Sequence, residues 1–361
     1  MTRHVEIAIL GAGAVGTSIA FHLAQEGKNP LVIDRGFPGG GTSGATAAWV
    51  WVQTKTPDHY AQFTAASIDL YPILTRRLGM DIEYHRTGGI SVAFSDTEIA
   101  ELSHLADQQR RAGLPVSMLS REDTLHLEPA LNPALTGAMY CPLDGNVNPF
   151  RLVSALRQGA LAGGAEFWTH TDVIAIEPHG GRYRLSTSRG LVEAETLVLS
   201  AGPWSSQVGA LLGITMPVKL SRGQMLVTEP LPPLVRHTIQ GLRQQDNGEI
   251  LFGYSHEEVG LDTRTTLEII HEVAQVGVRL VPALRHVHIV RAFAGVRVIP
   301  NDGLPILGRI PGMDGAFIAV THSGITLSPI IGEVMTELLV SGRSSVSLDP
   351  YAMERFTEAR S

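Results

Sequence analysis

The stretch Val5-Glu6-Ile7-Ala8-Ile9-Leu10-Gly11-Ala12-Gly13-Ala14-Val15-Gly16 runs a hydrophobic strand straight into a glycine turn. An apolar helix follows over 12–25, and Gly27 closes it. Leu31-Val32-Ile33 then reads as a second strand that ends at Asp34, with Arg35 beside it. Each glycine has its own task. Gly11 permits the tight turn, Gly13 lets the backbone approach a pyrophosphate, and Gly16 lets the helix pack close to the strand. The start of the helix, at Ala14 and Val15, offers unpaired N–H groups and a partial positive charge to that anion. Asp34 can accept the hydroxyls of an adenosine ribose. A carboxylate there would repel a 2′-phosphate, which favours FAD or NAD over NADP. A bare turn that binds nothing would explain the glycines, but not the acid at this distance.

Composition bounds the rest. The 361 residues are 44% hydrophobic and 17% charged, enough for a full core and too few charges for a disordered chain. A net charge of -7 and the absence of a basic tract argue against a nucleic-acid partner. Lysine occurs only at Lys28, Lys55 and Lys219, so positive charge is almost all arginine, the better residue for fork-like carboxylate recognition. Cys141 is the single cysteine, which rules out an internal disulfide and a cysteine metal cluster within the chain. The 14 histidines show no metal-type spacing. The start of the chain lacks the pattern of a secretory leader, and no apolar stretch looks long enough to span a bilayer. The expectation is a cytoplasmic protein, with peripheral attachment at the inner face of the membrane left open.

Further along, Gly41-Thr42-Ser43 sits in a small, hydroxyl-rich loop that could donate to a phosphate or to the far end of a cofactor. Trp49-Val50-Trp51-Val52 alternates like a strand and places both tryptophans on one face, read as core rather than substrate cage. Helices are expected over 57–78, 97–112, 148–162 and 265–280, and a short one from 121. Asn148 caps the third of these ahead of Pro149. Strands are expected over 82–84, 89–94, 137–141, 166–169, 173–178, 182–188, 191–195, 195–202, 222–227, 250–254, 291–297 and 317–321. Arg222-Gly223-Gln224 reads as a turn into its strand, and Ser328-Pro329 as the cap of the last helix. Nucleotide-type segments alternate with mixed ones. The fold class is therefore α/β: a dinucleotide-binding Rossmann-like domain, FAD-binding if the acid at Asp34 serves FAD rather than NAD, over 1–80, 145–215 and 291–361. An α+β substrate domain, built mainly on an antiparallel sheet, is inserted over 81–144 and 216–290.

With both ends read, the chain resembles the D-amino acid oxidase superfamily of FAD enzymes. It looks most like glycine oxidase, sarcosine oxidase and the catalytic subunits of bacterial heteromeric amino-acid dehydrogenases. The resemblance rests on the glycine turn, Gly41-Thr42-Ser43, Asn148-Pro149 and Ser200-Ala201-Gly202-Pro203-Trp204. It rests also on Arg222-Gly223-Gln224, Ala294-Gly295-Val296-Arg297, Asp302-Gly303-Leu304-Pro305 and Thr321-His322-Ser323-Gly324-Ile325-Thr326. It implies bound FAD, with the adenosine on Asp34 and the backbone near Val173, and further contacts at Arg35, Ala201, Gly202 and Trp204. Gly295 and Arg297 would line the substrate pocket beside the flavin. Gly324, Ile325 and Thr326 would lie along its pyrimidine. Arg297 stands where glycine oxidase clamps a carboxylate, whereas His322 replaces an arginine there, and Val298 replaces a proline common in the family. The cysteine that links FAD in sarcosine oxidase has no match, so non-covalent FAD is expected.

These residues suggest a chemistry. Hydride leaves a carbon bearing an amine for flavin N5, and the imine hydrolyses to a keto acid. Arg297 can hold the carboxylate through two parallel hydrogen bonds. His322 is a candidate donor or acid–base group. Tyr254 and His256 could face the substrate, although an exposed loop is the simpler reading of His256. Arg222 and Arg243 are weaker carboxylate candidates, and Lys55 and Lys219 could influence oxygen reactivity. The substrate expected is a D-amino acid, glycine, or an N-substituted or cyclic amino acid. The acceptor is oxygen, a quinone or an electron-transfer partner subunit, the last implying a hetero-oligomer. A 2-hydroxy-acid dehydrogenase and a FAD-holding subunit are the alternatives.

Overall fold

The computed structural model describes residues 2–356. The first strand, Arg3–Leu10, lies in the middle of an eight-stranded sheet. Its order runs Ile306–Arg309, Ala316–Val320, Gly190–Leu199, Arg3–Leu10, Leu31–Ile33, Glu166–Trp168. Arg3–Leu10 pairs in parallel with both neighbours, Leu10 standing opposite Leu199 on one side and Ile33 on the other. Successive strand side chains face opposite ways. Ile7 and Ile9 therefore enter one core with Phe21, Leu156 and Ile331, while Ala8 and Leu10 enter another with Leu185, Val192 and Ile318. The unbroken apolar run of the sequence is a strand buried on both faces.

The helices Ala14–Gln25, Pro149–Ala162 and Gly324–Ser341 share the first of these cores. Asn148 caps Pro149–Ala162 as expected, its Oδ1 accepting from the N–H groups of Phe150 at 3.1 Å and Arg151 at 3.2 Å. The other core is closed by the hairpin Val173–His179 and Arg182–Thr187, which pairs antiparallel with Gly190–Leu199. That last strand is continuous. The two strands expected over 191–195 and 195–202 are one, because its first half pairs with the hairpin while Val192 to Leu199 pairs with Arg3–Leu10.

A second eight-stranded sheet runs Ile289–Pro300, Val218–Thr228, Ile250–Phe252, Leu242–Gln244, Thr238–Ile239, Gly89–Ala93, Gly137–Cys141, Ser117–Ser120. Its pairs are antiparallel except Thr238–Ile239 with Gly89–Ala93. Helix Leu267–Leu280 packs Val273 and Leu280 onto it, against Ile239, Ile250 and Phe252.

Several expectations change. Ile289–Pro300 pairs along its length with Val218–Thr228, so the expected boundary at 290/291 falls inside a strand of the second sheet. The sequence shows a strand there but not which sheet it joins. Arg222-Gly223-Gln224 lies within Val218–Thr228 rather than in a turn. Residues 82–84 form no strand; the chain bridges instead at His85 to Asn146. The last helix begins at Gly324, and Pro329 lies inside it rather than at its start. That helix is also long and apolar enough to cross a membrane by length and composition, with a mean hydropathy of 1.3, contrary to the expectation that no stretch is. It is 61% buried among the other elements, as a core helix is.

Candidate active site

A cavity of about 820 Å³ is lined from both sheets. At one end lies the glycine turn. Gly11 has φ +113, and a Cβ there would fall 2.3 Å from the Ser200 carbonyl oxygen. A Cβ on Gly16 would fall 2.0 Å from the Gly11 oxygen. Only glycine allows strand, turn and helix to approach this closely. Gly16 does this packing from outside the cavity, whereas Gly11, Gly13, Ala14 and Val15 line it. Asp34 accepts the Ala12 N–H at 2.7 Å through one carboxylate oxygen and the Gly36 N–H at 2.7 Å through the other. Each oxygen keeps accepting capacity toward the cavity. Arg35 stands 5.5 Å over the Trp204 ring and 3.8 Å from Asp172. Val173, Ala201 and Gly202 complete this end.

The loop Gly41-Thr42-Ser43 ties the two sheets together. Ser43 Oγ accepts the Ala14 N–H at 3.0 Å, and the Thr42 hydroxyl donates to the Val296 carbonyl. The Thr42 proton is thus directed to the second sheet, while Ser43, whose oxygen accepts, keeps its proton, and both residues line the cavity. Gly295 meets the same loop, at a spot where a Cβ would lie 2.0 Å from the Ala45 oxygen. Three buried polar atoms on cavity-lining residues have no protein partner among the described residues: Ser200 Oγ, Thr321 Oγ1 and Trp49 Nε1.

The far end gathers Lys55, Tyr254, His256, Arg297 and His322 with Trp49 and Trp51. The two tryptophans are not simply core. They do share a face, with centroids 5.7 Å apart, but that face is the cavity wall, and Tyr254 stacks on Trp49 at 6.3 Å. Spacing alone says which residues share a face, not what the face meets. Arg297 Nη1 donates to His256 Nδ1 at 3.0 Å, and Nη2 donates to the Ser255 carbonyl. A guanidinium cannot accept, so Nδ1 is the acceptor and the His256 proton sits on Nε2. Burial and the Arg297 charge both lower the His256 pKa. His256 does lie on an exposed loop, yet it also reaches the cavity.

His322 is open to the cavity but deep in the molecule. Burial first, then the charges of Lys55 and Arg297, push its pKa down to about 3. It is a neutral hydrogen-bonding group at neutral pH. Beside it, Lys55 Nζ donates to Ser323 Oγ at 2.7 Å. Gly324, Ile325 and Thr326 form the first turn of the last helix and line the cavity. The Thr326 hydroxyl donates to the Trp49 carbonyl at 3.0 Å and accepts the Trp51 N–H at 3.3 Å.

Two weaker candidates drop out. Arg222 is ion-paired with Glu257 at 2.5 Å and Asp262 at 3.4 Å, outside the cavity. Arg243 is buried, holding the Ala47 carbonyl at 2.6 Å and Asn146 at 3.0 Å. Lys219 is exposed and does not line the cavity. The acids among the cavity-lining residues are Asp34 and Asp172, at the glycine-turn end. Among the described residues, the far end therefore carries positive charge without a lining carboxylate.

A family described as FAD dependent oxidoreductase matches residues 6–338. A subunit of opine oxidase from Rhizobium meliloti is 31% identical over 362 residues, covering 98% of each chain. The crystal structure of glycine oxidase from Geobacillus kaustophilus superposes with a TM-score of 0.93 at 29% identity, over 98% of this chain and 99% of that one. That of iminodiacetate oxidase from Chelativorans sp. BNC1 superposes with a TM-score of 0.85 at 26% identity, over 96% and 98%.

Proposed function

This chain belongs to the FAD-dependent oxidoreductase family, and from that premise we propose that it oxidises a small amino acid at the carbon bearing the amine. Its cavity suits FAD on independent grounds. Ala14 and Val15 line it at the start of the first helix, Asp34 keeps accepting capacity, and three buried polar atoms on its lining residues lack partners among the described residues. Asp34, Arg35, Val173 and Trp204 would hold the adenosine. Gly295 and the Gly324–Thr326 turn would hold the ring. When bound, FAD supplies the hydride acceptor.

One observation carries the substrate reading. Arg297 faces a cavity end that has aromatic walls and, among the described residues, no lining carboxylate. Two of its five N–H groups are engaged by Ser255 and His256, which leaves three to fork onto a substrate carboxylate. Trp49, Trp51 and Tyr254 wall that end and would limit water around the reacting carbon. His322 is too weak a base to hold a proton at neutral pH, so it does not take the proton of the substrate amine. The first sheet would then serve the cofactor, and the second would meet it at Gly295 and present Arg297 to the substrate. The likeness to one subunit of an opine oxidase supports a protein partner as the onward electron acceptor.

The test is anaerobic bleaching of the bound flavin by glycine, sarcosine, both prolines and a set of D- and L-amino acids. One or more should bleach it. Bleaching by 2-hydroxy acids alone would transfer the assignment to alcohol oxidation. Bleaching by neither class would make the chain a FAD-holding subunit. Admitting air to a bleached sample then separates oxygen from a partner as acceptor.

A further inference from the structure

We propose that Glu257, outside the cavity, is a positioning residue that sets the direction of the Arg297 guanidinium. The inference rests on the reading of Arg297 as the carboxylate clamp. Residues 253–266 form no helix or strand between Ile250–Phe252 and Leu267–Leu280. Such a segment needs fastening to present side chains in a fixed direction. Glu257 supplies it. Its backbone exchanges two hydrogen bonds with Arg222, at 2.8 and 3.1 Å. Its carboxylate takes Arg222 Nη2 at 2.5 Å and Gln224 Nε2 at 3.1 and 3.2 Å. The Gln224 N–H holds Ser255 Oγ at 2.8 Å, and Gln224 Oε1 accepts the Thr266 N–H at 2.9 Å. Arg222 is only 4% exposed, so this anchor is largely out of water.

Ser255 and His256, just before the anchor, are the two residues that grip Arg297. The strand beneath adds one long contact, Ser221 Oγ to His256 Nδ1 at 3.4 Å. Ser221 and Gly223 stand opposite Arg297 and Gly295 in the ladder, and a Cβ on Gly223 would fall 2.0 Å from Arg297 Nη2. The guanidinium therefore lies across a bare glycine. Its direction comes from the loop, which Glu257 fastens from outside the cavity alongside the Gln224 N–H on Ser255.

The experiment compares wild type, Glu257→Gln, Arg297→Ala and the double variant as holoenzymes. Benzoate binding is followed by perturbation of the flavin spectrum, alongside anaerobic reduction by whichever amino acid reduces the wild type. Glu257→Gln should keep flavin content and a cooperative melt at a lower temperature, since Arg222 loses one buried ion pair but retains Asp262. It should raise the benzoate Kd and the half-saturating amino-acid concentration about tenfold, with the limiting reduction rate little changed. In the Arg297→Ala background the same substitution should add nothing, the mark of action through Arg297. Wild-type values for Glu257→Gln, or an equal effect in both backgrounds, would overturn the proposal while leaving the clamp intact. Wild-type values for Arg297→Ala, or no benzoate binding to wild type, would remove the clamp and this inference with it. If Glu257→Gln does not fold, Glu257→Asp shortens the reach to Arg222 while keeping the charge. Wild-type affinity in that variant would likewise overturn the proposal.

Discussion

Tyr71 donates its hydroxyl to the carbonyl of Ile325 at 2.6 Å, filling a place that Pro329 leaves open. Proline has no N–H to return to the residue four positions back, and Pro329 lies within the helix Gly324–Ser341. The stranded carbonyl is taken by Tyr71, with Ser328 Oγ at 3.1 Å as a longer second donor. Ser67 does the same for the next carbonyl, that of Thr326, at 2.7 Å. Two side chains of the helix Asp58–Leu78 thus hold the helix turn that faces the cavity. Tyr71→Phe leaves a buried acceptor with the longer bond only. It should lower the unfolding free energy by about 1–3 kcal/mol, read as the urea midpoint of the holoprotein. An unshifted midpoint would show that Ser328 alone suffices.

The three glycines of the turn should separate by what surrounds them. In Gly16→Ala the new Cβ meets a backbone oxygen at 2.0 Å, and in Gly11→Ala another at 2.3 Å with φ +113. Backbone cannot step aside as a side chain can, so both variants should lose at least about 1–3 kcal/mol and yield little folded protein. In Gly13→Ala the nearest atom is the Ser43 hydroxyl at 3.2 Å, which can rotate. That variant should fold normally but hold FAD more weakly, because the methyl projects toward the anion site. Circular-dichroism melting and flavin content after dialysis separate the cases. Equal stability for Gly13→Ala and Gly16→Ala would contradict this assignment.

His322 should contribute no ionisation to turnover near neutral pH. Its pKa is lowered to about 3, so the ring is already neutral at pH 5. His322→Gln keeps a neutral hydrogen-bonding group, and the shape of the kcat/KM profile between pH 5 and 8 should be unchanged even if its height falls. Loss of an acidic limb in that variant would show that the ring titrates in the working range. The same lowering has a stability consequence. A histidine with a depressed pKa stabilises the fold above its ordinary value of 6.5 and loses that contribution as pH falls toward 3. Buried His22, lowered to about 4, acts in the same direction.

The parts of the molecule legible in the sequence are those where one local pattern answers to one physical demand. Strand, glycine turn and helix are read correctly because the turn's sterics are local, and Asp34 at the end of the second strand closes back on Ala12 and Gly36. The Asn148 cap is legible for the same reason. What the sequence conceals is partnership at long range. Nothing in 291–297 says that this strand pairs with Val218–Thr228 rather than with the nucleotide sheet. Trp49 and Trp51 carry the spacing of one face, but only the opposed Tyr254 makes that face a cavity wall. Pro329 looks like a helix start because prolines favour first turns. Tyr71, far away in sequence, lets it sit further in. Arg222 stays a weaker carboxylate candidate in the sequence, and only the structure removes it, by pairing it with Glu257.

Asp144 supplies the opposite pH dependence. It is fully buried, and its carboxylate accepts the Val52 N–H at 2.5 Å and Gln53 Nε2 at 2.7 Å, beside Trp51 of the cavity wall. Burial raises its pKa from 3.8 to about 7, overcoming the hydrogen bonds and the Lys55 charge that favour the ionised form. A carboxyl with a raised folded pKa contributes fully below its unfolded value, and that contribution is lost as pH rises through the folded one. Between about pH 4 and 7 the native state holds a proton that the unfolded chain has released. Asp144 should therefore lower stability by up to about 1.4 kcal/mol per pH unit across that window. His22 and His322 oppose it there, so the wild-type slope is a sum. Subtracting the Asp144→Asn curve from the wild-type curve isolates the carboxyl. Urea unfolding at intervals from pH 4 to 8 should show wild type losing stability relative to Asp144→Asn as pH rises, with the difference levelling off above about 7. Parallel curves would mean that Asp144 is ionised in the native state throughout, held so by the donors of Val52 and Gln53.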